Sequence, residues 1–123
     1  MPHAILEYSA NIPPIDTAAF LERLHDALAA VGYGLDDIKS WCYRSESFRV
    51  GTGQPERAFA HLTLIVLDRR EVAVQHAAGE KALALLQETF AGATGRLDCD
   101  LTVDVQQTRT VTYFKSRRAR PPA

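Results

Sequence analysis

Between Ala58 and Leu67 the chain runs almost without a polar break and includes β-branched residues. Such a run suits a strand buried on both faces, and it constrains everything around it. Helices can cover one of those faces; something else must cover the other. A helical pattern from about Glu71 to Phe90 follows at once, with Ala78, Ala82, Leu85, Leu86 and Phe90 as its inward stripe, and Gly92 and Gly95 stop it. Leu97, Cys99, Leu101, Val103 and Val105 then alternate with polar residues, the mark of a strand with one wet face. The second half of the chain therefore reads strand, helix, strand.

The first half repeats that order. His3 to Tyr8 is rich in strand formers and is broken by Asn11, Pro13 and Pro14. Asp16 is a good helix N-cap, and Ile15 before it is placed to staple onto Phe20. Leu21, Leu24, Leu28 and Val31 follow at helical spacing, and Gly32 and Gly34 end the helix. Ile38 to Phe48 reads as a long strand, and a loop marked by Gly51, Gly53 and Pro55 separates the halves. The two copies run roughly from residue 3 to 48 and from 58 to 106, with faint similarity between them. Each is expected to be a parallel βαβ unit with a right-handed crossover. Together they predict an α+β fold: one four-stranded sheet with both helices on a single face, and an extra short strand from Thr110 to Phe114. Its second face is left to a partner subunit, so oligomerisation is expected.

With 123 residues the chain has room for one domain, placed at residues 1–116, and a basic tail at 117–123 that is expected to be disordered. The formal net charge of −1 gives no overall field to gather polyanions, and the tail's Arg117, Arg118 and Arg120 have no basic surface to join, so no nucleic-acid partner is expected. Cys42 and Cys99 lie inside strand-like runs and read as reduced, packed thiols. Neither an apolar stretch long enough to span a membrane nor a leader-like N-terminus is present in the pattern, so a cytoplasmic location is expected.

The residue with the most chemical promise is Pro2. Initiator methionine is normally removed before a small residue, and its removal leaves a secondary amine at the head of a strand. An ordinary α-amino group has a pKa of about 8, so roughly a tenth is neutral at pH 7. Burial beside cations disfavours the charged form. A hundredfold weaker proton affinity leaves roughly nine-tenths of the amine neutral, at a differential cost of about 2.7 kcal/mol. An amine tuned in this way can carry a proton between carbon and oxygen as a general acid–base. With methionine retained, the same nitrogen is a tertiary amide and has no useful basicity.

Several short pieces keep a common order and spacing: Met1-Pro2-His3, Ile38-Lys39-Ser40, Ala58-Phe59-Ala60-His61-Leu62-Thr63-Leu64, Ala78-Gly79-Glu80 and Tyr113-Phe114-Lys115. As an ordered set reaching to about Arg117, they resemble the 5-carboxymethyl-2-hydroxymuconate isomerases of the tautomerase superfamily. The doubled βαβ reading agrees with the tautomerase-like fold that this resemblance implies.

The resemblance implies a cofactor-free isomerase in which the nitrogen of Pro2 shuttles a proton across a conjugated 2-hydroxy-dienoate. Cationic side chains would hold the small carboxylate substrate. One family arginine falls on Arg70, between the third strand and the second helix, where helix N–H groups also favour an anion. The other falls on Lys39, a departure that keeps the charge and loses the planar two-pronged grip. Arg44, five positions on, is a second cation but faces the other way in a regular strand. Phe48 occupies a place where the family has a bulky aromatic near the pocket. A homotrimer, with each pocket near a subunit boundary, is implied as well.

His3 and His61 lie in strands without ligand spacing, so no metal site is expected. Asp98, Asp100 and Asp104 form a row on the last long strand that reads as a solvated face. Two other uses of such a fold are conceivable from the sequence. One is hydration or dehalogenation of an unsaturated acid, with a carboxylate such as Glu7 activating water; the other is a non-catalytic trimeric module that binds small anions.

Overall fold

In the computed structural model, which describes residues 1–92 and 95–122, two strand–helix–strand units share one sheet. Strand β1 (His3–Ser9), helix α1 (Thr17–Ala30) and strand β2 (Lys39–Ser45) form the first unit. Strand β3 (Arg57–Leu67), helix α2 (Val72–Ala91) and strand β4 (Asp98–Thr108) form the second. The strand order is β2-β1-β3-β4. Within each unit the strands are parallel, and the units meet through the antiparallel pair β1 and β3. The sheet is therefore mixed, as a doubled βαβ plan requires.

Local chemistry accounts for the helices. Asp16 caps α1, its Oδ1 accepting from the N–H of Ala19 at 3.0 Å, a contact worth about 1 kcal/mol. Phe20, Leu24 and Leu28 recur every four residues and are buried against the sheet. Gly32, at φ 108°, ends the helix in a conformation that strains any residue with a Cβ. Helix α2 buries Ala78, Ala82, Leu85, Leu86 and Phe90. Its small residues allow close approach: a Cβ on Gly79 would stand 3.2 Å from Val105 Cγ2.

The core lies between the helices and one face of the sheet. Ala4, Leu6 and Tyr8 of β1 and Ala58, Ala60, Leu62, Leu64 and Val66 of β3 point into it. Tyr8 meets Phe90 edge-on with ring centroids 5.6 Å apart. At roughly 1.5–3 kcal/mol for each large apolar side chain, this face dominates the stability of the domain.

Three expectations need correction. The Ala58–Leu67 strand is buried on one face of the chain only; Phe59, His61, Thr63, Ile65 and Leu67 alternate onto the other face and are half-buried. That face also carries His61 and Thr63, so it is less apolar than the continuous run suggested. Strand β2 ends at Ser45 and does not reach Phe48. Its neighbour β1 ends at Ser9, opposite Ser45, and further residues have no ladder to join. The short strand expected from Thr110 to Phe114 is instead a 3-10 turn at Thr110–Thr112. Asp68 explains the turn, since its Oδ1 accepts from both the N–H and the hydroxyl of Thr110, at 3.1 and 2.5 Å. Those two bonds hold the Asp68 carboxyl below the usual aspartate range.

Candidate active site

Pro2 sits at the head of β1, between the start of β2 and the end of β3, and its side chain is fully buried. Its carbonyl accepts from the N–H of Lys39 at 3.1 Å. His3, the next residue, registers with Lys39 on one side and Ile65 on the other. Chain topology alone thus brings the first residues of β1, the first of β2 and the segment after β3 to one end of the sheet.

That end is cationic. With Met1 in place, its amino group is pushed below the ordinary 8.0 by burial first, then by Lys39 and Lys115, with Arg69 adding to them and Asp37 opposing. His3 is lowered too, by burial, the nearby amino terminus and Lys39. Its ring stands 6.0 Å from that of Trp41 and 6.4 Å from that of Tyr113. A cleft of about 670 Å³ opens beside it, lined by Asp36, Asp37, Lys39, Tyr113, Lys115 and Arg117 among others.

Two side chains in this cleft are tied to one residue. Lys39 Nζ donates to the carbonyl oxygen of Asp37 at 2.9 Å, and Lys115 Nζ lies 3.6 Å from Asp37 Oδ1. Lys115 reaches this point because the Thr110–Thr112 turn, fixed by Asp68, folds the following residues over the start of β1 and β2. The backbone around Lys39 is fixed from the helix side, where Ser40 Oγ and His25 Nε2 of α1 are hydrogen-bonded at 2.6 Å.

Arg70 stands two residues before α2, exposed, with its guanidinium over the Tyr33 ring. Its carbonyl accepts from Gln75 Nε2 at 3.0 Å, and Gln107 of β4 donates to Gln75 Oε1 at 3.0 Å. Tyr33 is buried, and its hydroxyl has no hydrogen-bond partner among the described residues. Burial pushes the phenol pKa up, against the pull of Arg70.

Of the residues singled out in the sequence, Pro2 and Lys39 are adjacent. Arg70 follows β3 by three residues, at the same end of the sheet. Phe48 is elsewhere. It lies three residues past β2, beyond the opposite end of the sheet, with its ring 6.3 Å from that of Phe59. Since β1 has seven residues, the length of a strand of about 20 Å separates Phe48 from Pro2 within one chain. Glu7 is on the open sheet face in register with Tyr43 and His61, about 16 Å along β1 from Pro2. Arg44 is engaged far from Pro2, donating to the carbonyls of Ala10 and Ile12 at 2.7 and 3.0 Å. Among the described residues no group of three or more His, Cys, Asp or Glu side chains is placed to hold a metal ion.

Residues 2–121 match the family model described as 5-carboxymethyl-2-hydroxymuconate isomerase. The chain belongs to that family. It is 27% identical to the 5-carboxymethyl-2-hydroxymuconate Delta-isomerase of Escherichia coli over 117 residues, covering 94% of this chain and 93% of that protein. The crystal structure of a 5-carboxymethyl-2-hydroxymuconate isomerase from Deinococcus radiodurans R1 superposes with a TM-score of 0.88 at 24% identity, over 95% of this chain and 90% of the other. A fused 4-OT wild-type symmetric trimer gives a TM-score of 0.70 at 14% identity, over 89% of this chain and 87% of that one. Membership of the 5-carboxymethyl-2-hydroxymuconate isomerase family makes this protein an isomerase of the tautomerase type.

The family's own pattern explains why part of this end of the sheet was found from sequence and part was not. Pro2, Lys39 and Arg70 stand out as an N-terminal proline and two cations at element ends. Asp37, Lys115 and Tyr33 carry no local signal, because their relation to Pro2 exists only after the sheet has formed. The one available hint is that Tyr113-Phe114-Lys115 belongs to the ordered set of family-like pieces.

Proposed function

We propose that this isomerase acts on a small unsaturated 2-hydroxy or 2-oxo carboxylic acid of the 5-carboxymethyl-2-hydroxymuconate type, with Pro2 as its general acid–base. Removal of Met1 exposes the secondary amine. The nitrogen takes the proton of the substrate's 2-hydroxyl group. The O–H electron pair becomes the C2 carbonyl, the double bonds shift along the dienoate, and the proton returns to carbon at the far end. The product is an α,β-unsaturated ketone, with no atom gained or lost. Lys39 and Arg70 hold the carboxylates, and they favour the electron-rich enolate formed as the proton leaves.

The observation carrying this reading is the setting of Pro2: a fully buried ring at the head of a central strand, beside an amino terminus whose charge is disfavoured by burial, Lys39 and Lys115. Such a field disfavours the charged form of an amine placed there, which suits a nitrogen that must take up a proton and give it back.

Homotrimer assembly is part of the same proposal. The open sheet face bears Ile5, Trp41, Tyr43, Phe59 and Ile65, and a neighbouring copy is the cover that best suits it. The 4-OT relative with the same fold is described as a trimer. In such an assembly Phe48 reaches a substrate pocket only from an adjacent copy, since its own Pro2 is a strand-length away. No helix among the described residues is long and apolar enough to cross a membrane.

The test is to weigh the protein and to time its reaction. Intact mass should be lower by one methionine. Ultraviolet absorbance should follow ketonisation of 2-hydroxymuconate, with Pro2→Ala slower by about a hundredfold or more. Equal rates for Pro2→Ala and the unaltered protein would overturn the assignment.

A further inference from the structure

We infer that Lys39 and Lys115, both tied to Asp37, act together as a two-point clamp on one substrate carboxylate. The inference rests on the proposed role of Lys39 as a carboxylate ligand and adds a second, unassigned residue from the C-terminal segment. An arginine presents a planar fork whose two N–H groups match the two oxygens of a carboxylate. A single ammonium is a point charge on a flexible stem and cannot reproduce that match. This chain carries lysine at position 39, so a second donor is needed to fix both oxygens.

Lys115 has the position to supply it. Its ammonium is 3.6 Å from Asp37 Oδ1, while the Lys39 ammonium is 2.9 Å from the carbonyl oxygen of that residue. Both lysines line the same cleft of about 670 Å³ beside the start of β1. Its charged lining comprises Lys39, Lys115 and Arg117 against Asp36 and Asp37, an excess of one positive charge that one carboxylate would neutralise. The two lysines also act on one point in space, the amino group of Met1, whose proton both disfavour.

Asp37 is the positioning residue in this arrangement. Its carboxylate is more than half exposed and makes a long contact with Lys115. Exposed pairs of this kind contribute little stability, so an incoming carboxylate can share the Lys115 ammonium at small cost. The carbonyl anchor of Lys39 stays in place as that happens. Delivery of Lys115 depends on the turn at Thr110–Thr112, which Asp68 holds through two hydrogen bonds.

Calorimetric titration of the full chain with trans,trans-muconate tests the clamp without depending on turnover, since this dicarboxylate lacks the 2-hydroxyl group. Lys115→Met should weaken binding by about tenfold, the effect of losing one charge-assisted hydrogen bond. Adding Lys39→Arg to that variant should recover most of the loss, because one planar fork then does the work of two ammoniums. Unchanged binding in Lys115→Met, or no recovery in the double variant, overturns the clamp. Lys39→Met distinguishes failure of the clamp from failure of Lys39 as a ligand. If it weakens binding while Lys115→Met does not, the clamp alone fails; if neither matters, Lys39 is no carboxylate ligand either. Rates measured with Pro2→Ala are independent of both results.

Discussion

The guanidinium carbon of Arg70 lies 5.1 Å from the centroid of the Tyr33 ring, so a cation at the end of β3 rests on an aromatic platform that follows α1. The contact joins the segment after α1 in the first unit to the turn between β3 and α2 in the second, and it restrains a side chain that is otherwise exposed. A stacked guanidinium of this kind is held by about 0.5–1 kcal/mol. Tyr33→Leu should remove the platform and raise KM for a dicarboxylate several-fold, leaving kcat nearly unchanged. Tyr33→Phe keeps the ring, and it also deletes a buried hydroxyl that has no partner among the described residues. That variant should match the original KM and be as stable or more stable, by up to about 1 kcal/mol. A KM rise in Tyr33→Phe equal to that of Tyr33→Leu would show that the hydroxyl, and not the ring face, matters.

Ser40 fixes the backbone on which Lys39 is carried. Its hydroxyl and the His25 ring are 2.6 Å apart and join the start of β2 to α1. Ser40→Ala should cost about 1 kcal/mol of stability, the usual net value of a hydrogen bond of this kind. For a domain of this length that corresponds to a fall in Tm of about 4 °C. Thermal unfolding followed by circular dichroism is the measurement, and an unchanged Tm would mean that the bond contributes nothing net.

The imidazole of His3 is the clearest source of pH dependence at this end of the sheet. Burial, the amino terminus and Lys39 all lower its pKa below the ordinary 6.5. The unfolded chain therefore binds this proton more tightly than the folded one. Stability rises with pH between the folded value and 6.5, and the penalty is fully present below the folded value. The amino group of Met1, where it is present, acts with the same sign up to its ordinary 8.0. Urea unfolding of the unaltered chain and His3→Gln at mildly acidic and neutral pH isolates the effect. The difference between them should shift in favour of the unaltered chain as pH rises, and a shift in the other direction would contradict the burial argument.

Most of the architecture was legible because hydrophobic period and punctuation agree. Phe20, Leu24 and Leu28 recur at helical spacing behind a capping Asp16, and Leu101, Val103 and Val105 alternate with polar residues. The failures came where a neighbour, not local pattern, decides the outcome. Trp41 and Tyr43 lie in a strand that continues only as far as β1 is there to pair with it. Thr110 to Phe114 has strand-forming residues, yet Asp68, far away in sequence, bends it into a turn. In the same way, the cations at this end of the sheet, Lys39, Arg69, Arg70 and Lys115, come from three separate stretches of the chain. Lys39 and Arg70 could be found through family-like spacing, while the part played by Lys115 emerges from the turn that delivers it.

The open face of the sheet can be probed with a single charge. Ile5 lies at its centre, in register with Trp41 on one side and Thr63 on the other, and its side chain points away from the helices. Helix-facing residues alone form the core of a single chain, so a charge at position 5 leaves that core untouched. It would, however, be trapped without a partner if a second copy covers this face, at a cost of several kcal/mol per copy. Ile5→Asp should therefore fold with native far-ultraviolet circular dichroism and sediment as a monomer, and the unaltered chain should sediment as the proposed trimer. Activity on 2-hydroxymuconate should fall with assembly, because Phe48 of any one copy is a strand-length from its own Pro2. A variant that is monomeric and fully active would show that each chain carries a complete site, and that Phe48 has no place in it.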